Sequence, residues 1–153
     1  MKKYLTIAAM GIAAVMVTKP AFAESSGLKE LGVTLGTPAG LNINVGWWGD
    51  ESFPLLARLS GMYYGSLSKG VQGEVGWAFD TDGAFKQFVA AAGLTASIGN
   101  NPVTWTGAGP VYGINWHGLS AELGITFGSG TDSNGAKLSG AQAIAQVGYS
   151  FLF

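Results

Sequence analysis

The chain has 153 residues, 25 of them glycine and none cysteine, with 12% aromatic and only 11% charged residues against 48% hydrophobic ones. That length holds one ordinary domain, and the mixture is too apolar for a disordered chain and too rich in glycine for a helical bundle. The lack of cysteine excludes disulfides, thiolate chemistry, cysteine-linked lipid and cysteine zinc sites.

The first element in chain order reads as a secretory signal. Lys2 and Lys3 precede the apolar run Ile7 to Val17, and Ala21-Phe22-Ala23 fits an A-x-A cleavage site. The division expected is 1–23 signal peptide and 24–153 mature domain, exported through the Sec pathway. A permanent anchor is the rival reading, but Lys19-Pro20 stops the run well short of the about 20 apolar residues that span a bilayer. Without the signal, five basic residues (Lys29, Arg58, Lys69, Lys86, Lys137) face nine acidic ones, a net charge of −4, so there is no basic patch for nucleic acid.

From Leu28 onward apolar and polar residues alternate with a period of two, the spacing of a strand. Eight segments are predicted: 28–36, 41–49, 54–66, 70–80, 87–98, 103–115, 118–128 and 141–153, separated by turn-prone stretches rich in Gly, Pro, Asn, Asp and Ser. In 41–49 the faces are Leu41, Ile43, Val45, Trp47 against Asn42, Asn44, Gly46, Trp48. In 70–80, Val71, Val75, Trp77 and Phe79 oppose Gln72, Glu74, Gly76 and Ala78, and 118–128 and 141–153 alternate likewise. A water-soluble sheet would charge its solvated face. Here the polar face carries mainly Gly, Ser, Thr, Asn and Gln, residues suited to a narrow lumen, so the apolar face is read as outward. The expected fold is all-β, an eight-stranded antiparallel up-and-down transmembrane β-barrel. Trp47, Tyr63, Trp77, Phe79, Trp105, Phe127 and Tyr149 fall near segment ends, where interfacial aromatic girdles sit. In 103–115 Trp105 and Tyr112 have opposite parity, which predicts a bulge near Gly109-Pro110.

The chain ends Tyr149-Ser150-Phe151-Leu152-Phe153, with three aromatics on one face. This resembles the outer-membrane β-barrel class, in which such an ending is read by the barrel-assembly machinery. The architecture is similar to the eight-stranded barrels of the OmpX and OmpA-membrane-domain type. It is also similar to small uncharacterised outer-membrane proteins sharing G-T-P-A-G-L-N (Gly36 to Asn42) and W-H-G-x-x-x-E-L-G (Trp116 to Gly124). The resemblance implies an integral outer-membrane location, periplasmic termini, and contact with membrane lipid or lipopolysaccharide. The outer loops would be 37–40, 67–70, 99–102 and 129–140, only the last of them long.

Glu30, Arg58, Glu74 and Glu122 share lumen-facing parity, and a buried charge needs a partner. Arg58 and Glu122, on the third and seventh segments, are expected to bridge the lumen in an ionic plug. His117 is the only histidine, so an enzyme resembling the lipid A 3-O-deacylase barrels would have to use His117, Ser120 and Glu122. Those barrels have His and Ser two residues apart, whereas here residue 119 is Leu and Ser120 lies on the other face from His117. Gly107-Ala108-Gly109-Pro110 is no dinucleotide turn, because Tyr112 holds the third glycine position, and Asp80-Thr81-Asp82-Gly83 lacks the later calcium-loop ligands. The expectation is a monomeric, non-enzymatic barrel with no cofactor and no metal, and with a structural or envelope-interaction role. It is not an open porin-like channel, because eight strands leave no continuous pore. The alternatives are a lipid A-modifying enzyme and a soluble periplasmic binding barrel with a hollow apolar interior.

Overall fold

A computed structural model describes residues 27–38, 40–79, 83–99 and 103–153; the expected signal peptide lies outside the described residues. Eight strands follow one another: β1 (Leu28–Thr37), β2 (Gly40–Trp48), β3 (Leu55–Tyr64), β4 (Ser68–Phe79), β5 (Phe85–Ile98), β6 (Val103–Trp116), β7 (Leu119–Thr131) and β8 (Lys137–Leu152). Each pairs antiparallel with the next, and β8 closes on β1 through pairs running from Glu30 opposite Leu152 to Thr37 opposite Ala145. The fold is therefore a closed up-and-down barrel. Closure leaves no free edge along the paired length, so strand backbone groups there are satisfied without solvent.

Alternation assigns the two faces. Val33, Leu35, Leu59, Val71, Val75, Val89, Leu123, Ile125 and Val147 stand exposed on the outer wall, while Asn42, Asn44, Ser60, Gln72, Thr126, Gln146 and Ser150 are buried inside. The lumen is not uniformly polar. Trp48, Leu56, Met62, Phe88, Leu94, Trp105, Val111 and Ile144 also point in and are buried. The inner face of β5 is apolar from Phe88 through Ala90, Ala92 and Leu94 to Ala96.

Three expectations need correction. No bulge occurs at Gly109-Pro110: β6 keeps one register on β7 from Ala108 opposite Phe127 to Val111 opposite Gly124, with equal numbers of residues skipped on both strands. Proline has no N–H to donate, so the ladder is interrupted there without shifting. Trp105 is an inward residue, 8% exposed, and belongs to no girdle; β6 alternates regularly with Trp105 in and Tyr112 out. Finally, 129–140 is mostly strand. β7 and β8 pair out to Thr131 opposite Lys137, and the loop shrinks to 132–136, where the Asp132 carboxylate accepts the N–H groups of Asn134 and Ala136 at 2.9 and 2.8 Å.

The connections at the end carrying the C-terminus are equally short. In 49–54 the Asp50 carboxylate accepts the Ser52 N–H (2.8 Å), the Ser52 hydroxyl (2.6 Å) and the Phe53 N–H (2.9 Å). The Ser52 hydroxyl, followed by the Phe53 N–H, holds the Asp50 carboxyl below its ordinary pKa. The β6–β7 turn is the two-residue pair His117-Gly118, with φ of 51° and 93°. Both angles are positive, as in the type I′ turn whose twist matches a hairpin.

Candidate functional site

The lumen's charged residues meet at one guanidinium. Glu30 sits on β1, Arg58 on β3, Glu74 on β4 and Glu122 on β7, and all four are buried. Arg58 donates from Nε to Glu30 Oε2 (3.0 Å) and from Nη1 to both Glu74 Oε2 (3.2 Å) and Glu122 Oε2 (2.6 Å). Gln72 Nε2 grips the other oxygens of the same two carboxylates, at 2.6 Å on Glu74 Oε1 and 3.0 Å on Glu122 Oε1. Glu74 and Glu122 are thus held side by side between a charged donor and a neutral one.

Register explains the meeting. Glu30 pairs with Gly46, Gly46 with Arg58, and Arg58 with Glu74, so three of the four charges occupy one row across β1 to β4. Gly46 stands between Glu30 and Arg58, and a Cβ there would lie 3.2 Å from Glu30 Oε2 and 3.4 Å from Arg58 Cβ. Its missing side chain is the space the ion pair crosses. The guanidinium carbon also lies 4.6 Å from the Phe88 ring centre, and Phe88 packs edge-on against Trp48 at 5.2 Å. Phe88 faces Gly113 on β6, where any Cβ would overlap the Phe88 ring. Trp48 Nε1 donates to Glu30 Oε2 at 2.7 Å. A cation over a desolvated aromatic face adds about 2 kcal/mol.

Toward the far rim the network continues through neutral groups. Gln146 Nε2 reaches Gln72 Oε1 (3.3 Å), while Gln146 Oε1 accepts from Thr34 (2.9 Å) and Asn42 (3.1 Å). The centre of the barrel is thereby filled across β1, β2, β3, β4, β7 and β8. Such an arrangement can hold protons and exclude a water column; an acid pair with its oxygens engaged on both sides is not free to attack a substrate.

Sequence reasoning named the four charged residues and omitted Gln72, Trp48, Phe88 and Gln146. Gln72 carried a signal, being two residues from Glu74 on the same face. Phe88 carried a misleading one, since its face of 87–98 (Phe88, Ala90, Ala92, Leu94, Ala96) is the more apolar and yet turns inward, while Gln87, Thr95 and Ser97 share the outer face.

The three residues a deacylase-like centre would need are not assembled. His117 occupies the tight turn, its ring 5.8 Å from that of Trp116. Ser120 Oγ is buried without a hydrogen-bond partner, and Glu122 is committed to Arg58 and Gln72. Among the described residues no group of three or more His, Asp or Glu side chains is arranged to hold a metal ion.

The terminal aromatics lie on the outer wall, with Phe151 61% and Phe153 67% exposed and Tyr149 packed edge-on against Phe151 at 4.8 Å. Comparison with protein-family models, with characterised proteins and with solved structures gave no match.

Proposed function

We propose that the chain is an integral outer-membrane β-barrel with a plugged lumen, serving a structural role or interacting with lipopolysaccharide or another envelope component. The observation that carries this reading is the inversion of polarity between wall and lumen. Leu123 (66% exposed), Val147 (62%), Val75 (60%) and Leu59 (57%) face out around the barrel, while four ionisable residues and their amide partners face in. In water that wall would be a continuous apolar surface far larger than the few hundred Å² a soluble monomer exposes. In lipid it is the wall that a spanning barrel requires. Trp47, Phe53, Trp77, Phe85, Trp116, Tyr149, Phe151 and Phe153 stand near the end that carries the C-terminus, and Tyr63, Tyr64 and Phe127 near the other, which supports two interfacial girdles. The short loops at both ends favour a partner met at the wall over one met at a large display surface.

Refolding into phospholipid vesicles loaded with a small dye tests the reading. The protein should insert, resist extraction by salt, and leave the dye inside. Insertion with rapid dye release would mean an open pore, and failure to insert would remove the membrane role.

A further inference from the structure

The seam that closes the barrel stops short of the rim. β8 pairs with β7 from its first residue, Lys137 opposite Thr131, but it pairs with β1 only from Ala145, opposite Thr37. Among the described residues no strand therefore covers the other side of Lys137 to Ile144. Thr37 ends the seam. Its hydroxyl accepts the Ala145 N–H at 3.0 Å and donates to the Ala143 carbonyl at 2.9 Å, and Pro38 after it has no N–H to continue the ladder. Main-chain groups of alternate residues point the same way along a strand. Those of Ala141 and Ser139 thus point to the uncovered side, as Ala143 and Ala145 do. Lys137 to Ala141 are exposed on both faces.

The stagger of the barrel creates this edge. Following the pairs from Leu35 through Leu41, Tyr63, Lys69, Ser97, Thr104 and Thr131 leads to Lys137, ten residues along β8 from Val147, which faces Leu35 across the seam. The β7–β8 hairpin therefore rises past the β1–β2 turn. Phe127 pairs with Ala141, so Ser139 and Lys137 stand beyond the aromatic band at that end. Exposed edges are ordinarily blunted by charges, proline or a bulge. Here one lysine stands at the tip, the register on β7 is unbroken, and Ser139, Ala141 and Ala143 are too small to bar an approaching backbone.

We propose that this edge docks an extended segment of another protein, added to β8 as a ninth strand through main-chain hydrogen bonds. The small residues at 139, 141 and 143 leave room for β-branched or aromatic side chains opposite them. Lys137, which makes no ion pair among the described residues, favours a carboxylate opposite it. A second copy does not fit. Two β8 edges pair antiparallel about a two-fold axis normal to the sheet, which would turn one barrel upside down in the membrane. Parallel pairing needs an axis along the strands, and these tilt about 35–45° from the membrane normal. That exclusion rests on the membrane reading, whereas the edge itself follows from the register.

The test is residue-resolved amide hydrogen exchange on the intact barrel in detergent micelles, alone and with a synthetic octapeptide of alternating valine and threonine ending in glutamate. In the barrel alone, the Ser139 and Ala141 amides should exchange about a hundredfold faster, or more, than those of Gly140 and Gln142, which face β7. The peptide should slow Ser139 and Ala141 and leave Gly140 and Gln142 unchanged, and a twin N-methylated at alternate amides should do neither. Ala141→Pro deletes an edge N–H without touching the β7 ladder and should weaken peptide binding about tenfold or more; Ser139→Pro serves the same purpose should the first variant not fold. Equal exchange at all four amides in the barrel alone would show an edge already covered and would overturn the proposal. So would protection of Ser139 and Ala141 that grows with barrel concentration without peptide, or peptide that protects neither. Micelles make the outcome independent of vesicle insertion, so this proposal and the membrane reading fail separately.

Discussion

Arg58→Ala is the sharpest perturbation the lumen offers. It removes a guanidinium that bonds Glu30, Glu74 and Glu122 at 3.0, 3.2 and 2.6 Å, and it leaves three buried carboxylates facing one another. Deleting one partner of a buried ion pair costs about 3–5 kcal/mol, chiefly because the remaining charge stays desolvated and unpaired. An exposed pair would cost well under about 1 kcal/mol. Loss of the contact with Phe88 adds to the effect, and partial protonation of the carboxylates offsets it, so about 4 kcal/mol is expected. With a urea m-value of about 2 kcal/mol per molar, the midpoint should fall by about 2 M. Arg58→Lys should recover only part, since an ammonium is a point charge and cannot span donors set for a planar fork. Converting Glu30, Glu74 and Glu122 to glutamine in an Arg58→Met background should restore much of the loss, because a charge-free lumen has nothing left unpaired. The reasoning fails if the Arg58→Ala midpoint lies within about 0.3 M of the parent, or if the charge-free variant is no better than Arg58→Ala.

Other positions give independent tests. Leu123→Arg places a charge on the outer wall and should cost about 2–4 kcal/mol in a bilayer, read from folding equilibria in vesicles; no cost would indicate a wall in contact with water. Gly76→Ala should impair closure, because the new Cβ overlaps the Val89 carbonyl oxygen, whereas Gly73→Ala, whose Cβ meets nothing within 4 Å, should be neutral or stabilise by up to about 1 kcal/mol. His117→Gly relieves a side chain from φ of 51° and should raise stability by up to about 1 kcal/mol; a loss of lipopolysaccharide deacylation in that variant would instead reveal a catalytic histidine. Since folding lowers the pKa of Asp50, its contribution is fully present above the unfolded carboxylate pKa and disappears as pH falls through the lower folded value. Amide exchange at Ser52 and Phe53, corrected for intrinsic pH dependence, should therefore accelerate on acidification.

Much of the fold was legible because alternation is strict wherever one face is aliphatic and the other amide or carboxylate, as in 41–49 and 70–80. Legibility failed where the two faces resemble one another. Ser129 to Gly140 is mostly small or polar, with Leu138 its single large apolar residue, so no alternation distinguishes a strand from a loop there, and the β7–β8 hairpin extends into it from both sides. In β6 two large aromatics of opposite parity suggested a defect, but Gly, Ala and Thr between them carry no polarity signal, and Trp105 simply points inward. The charged cluster was readable from parity and strand order. Its supports were not, since the roles of Gly46 and Gly113 depend on cross-strand neighbours that only the register supplies.

The most direct test of the central claim is fractionation of cells expressing the full chain, followed by a wash of the membranes at alkaline pH. The account predicts that the protein stays with the outer membrane through the wash and leaves it only in detergent. Recovery of folded protein from the soluble periplasmic fraction would contradict it.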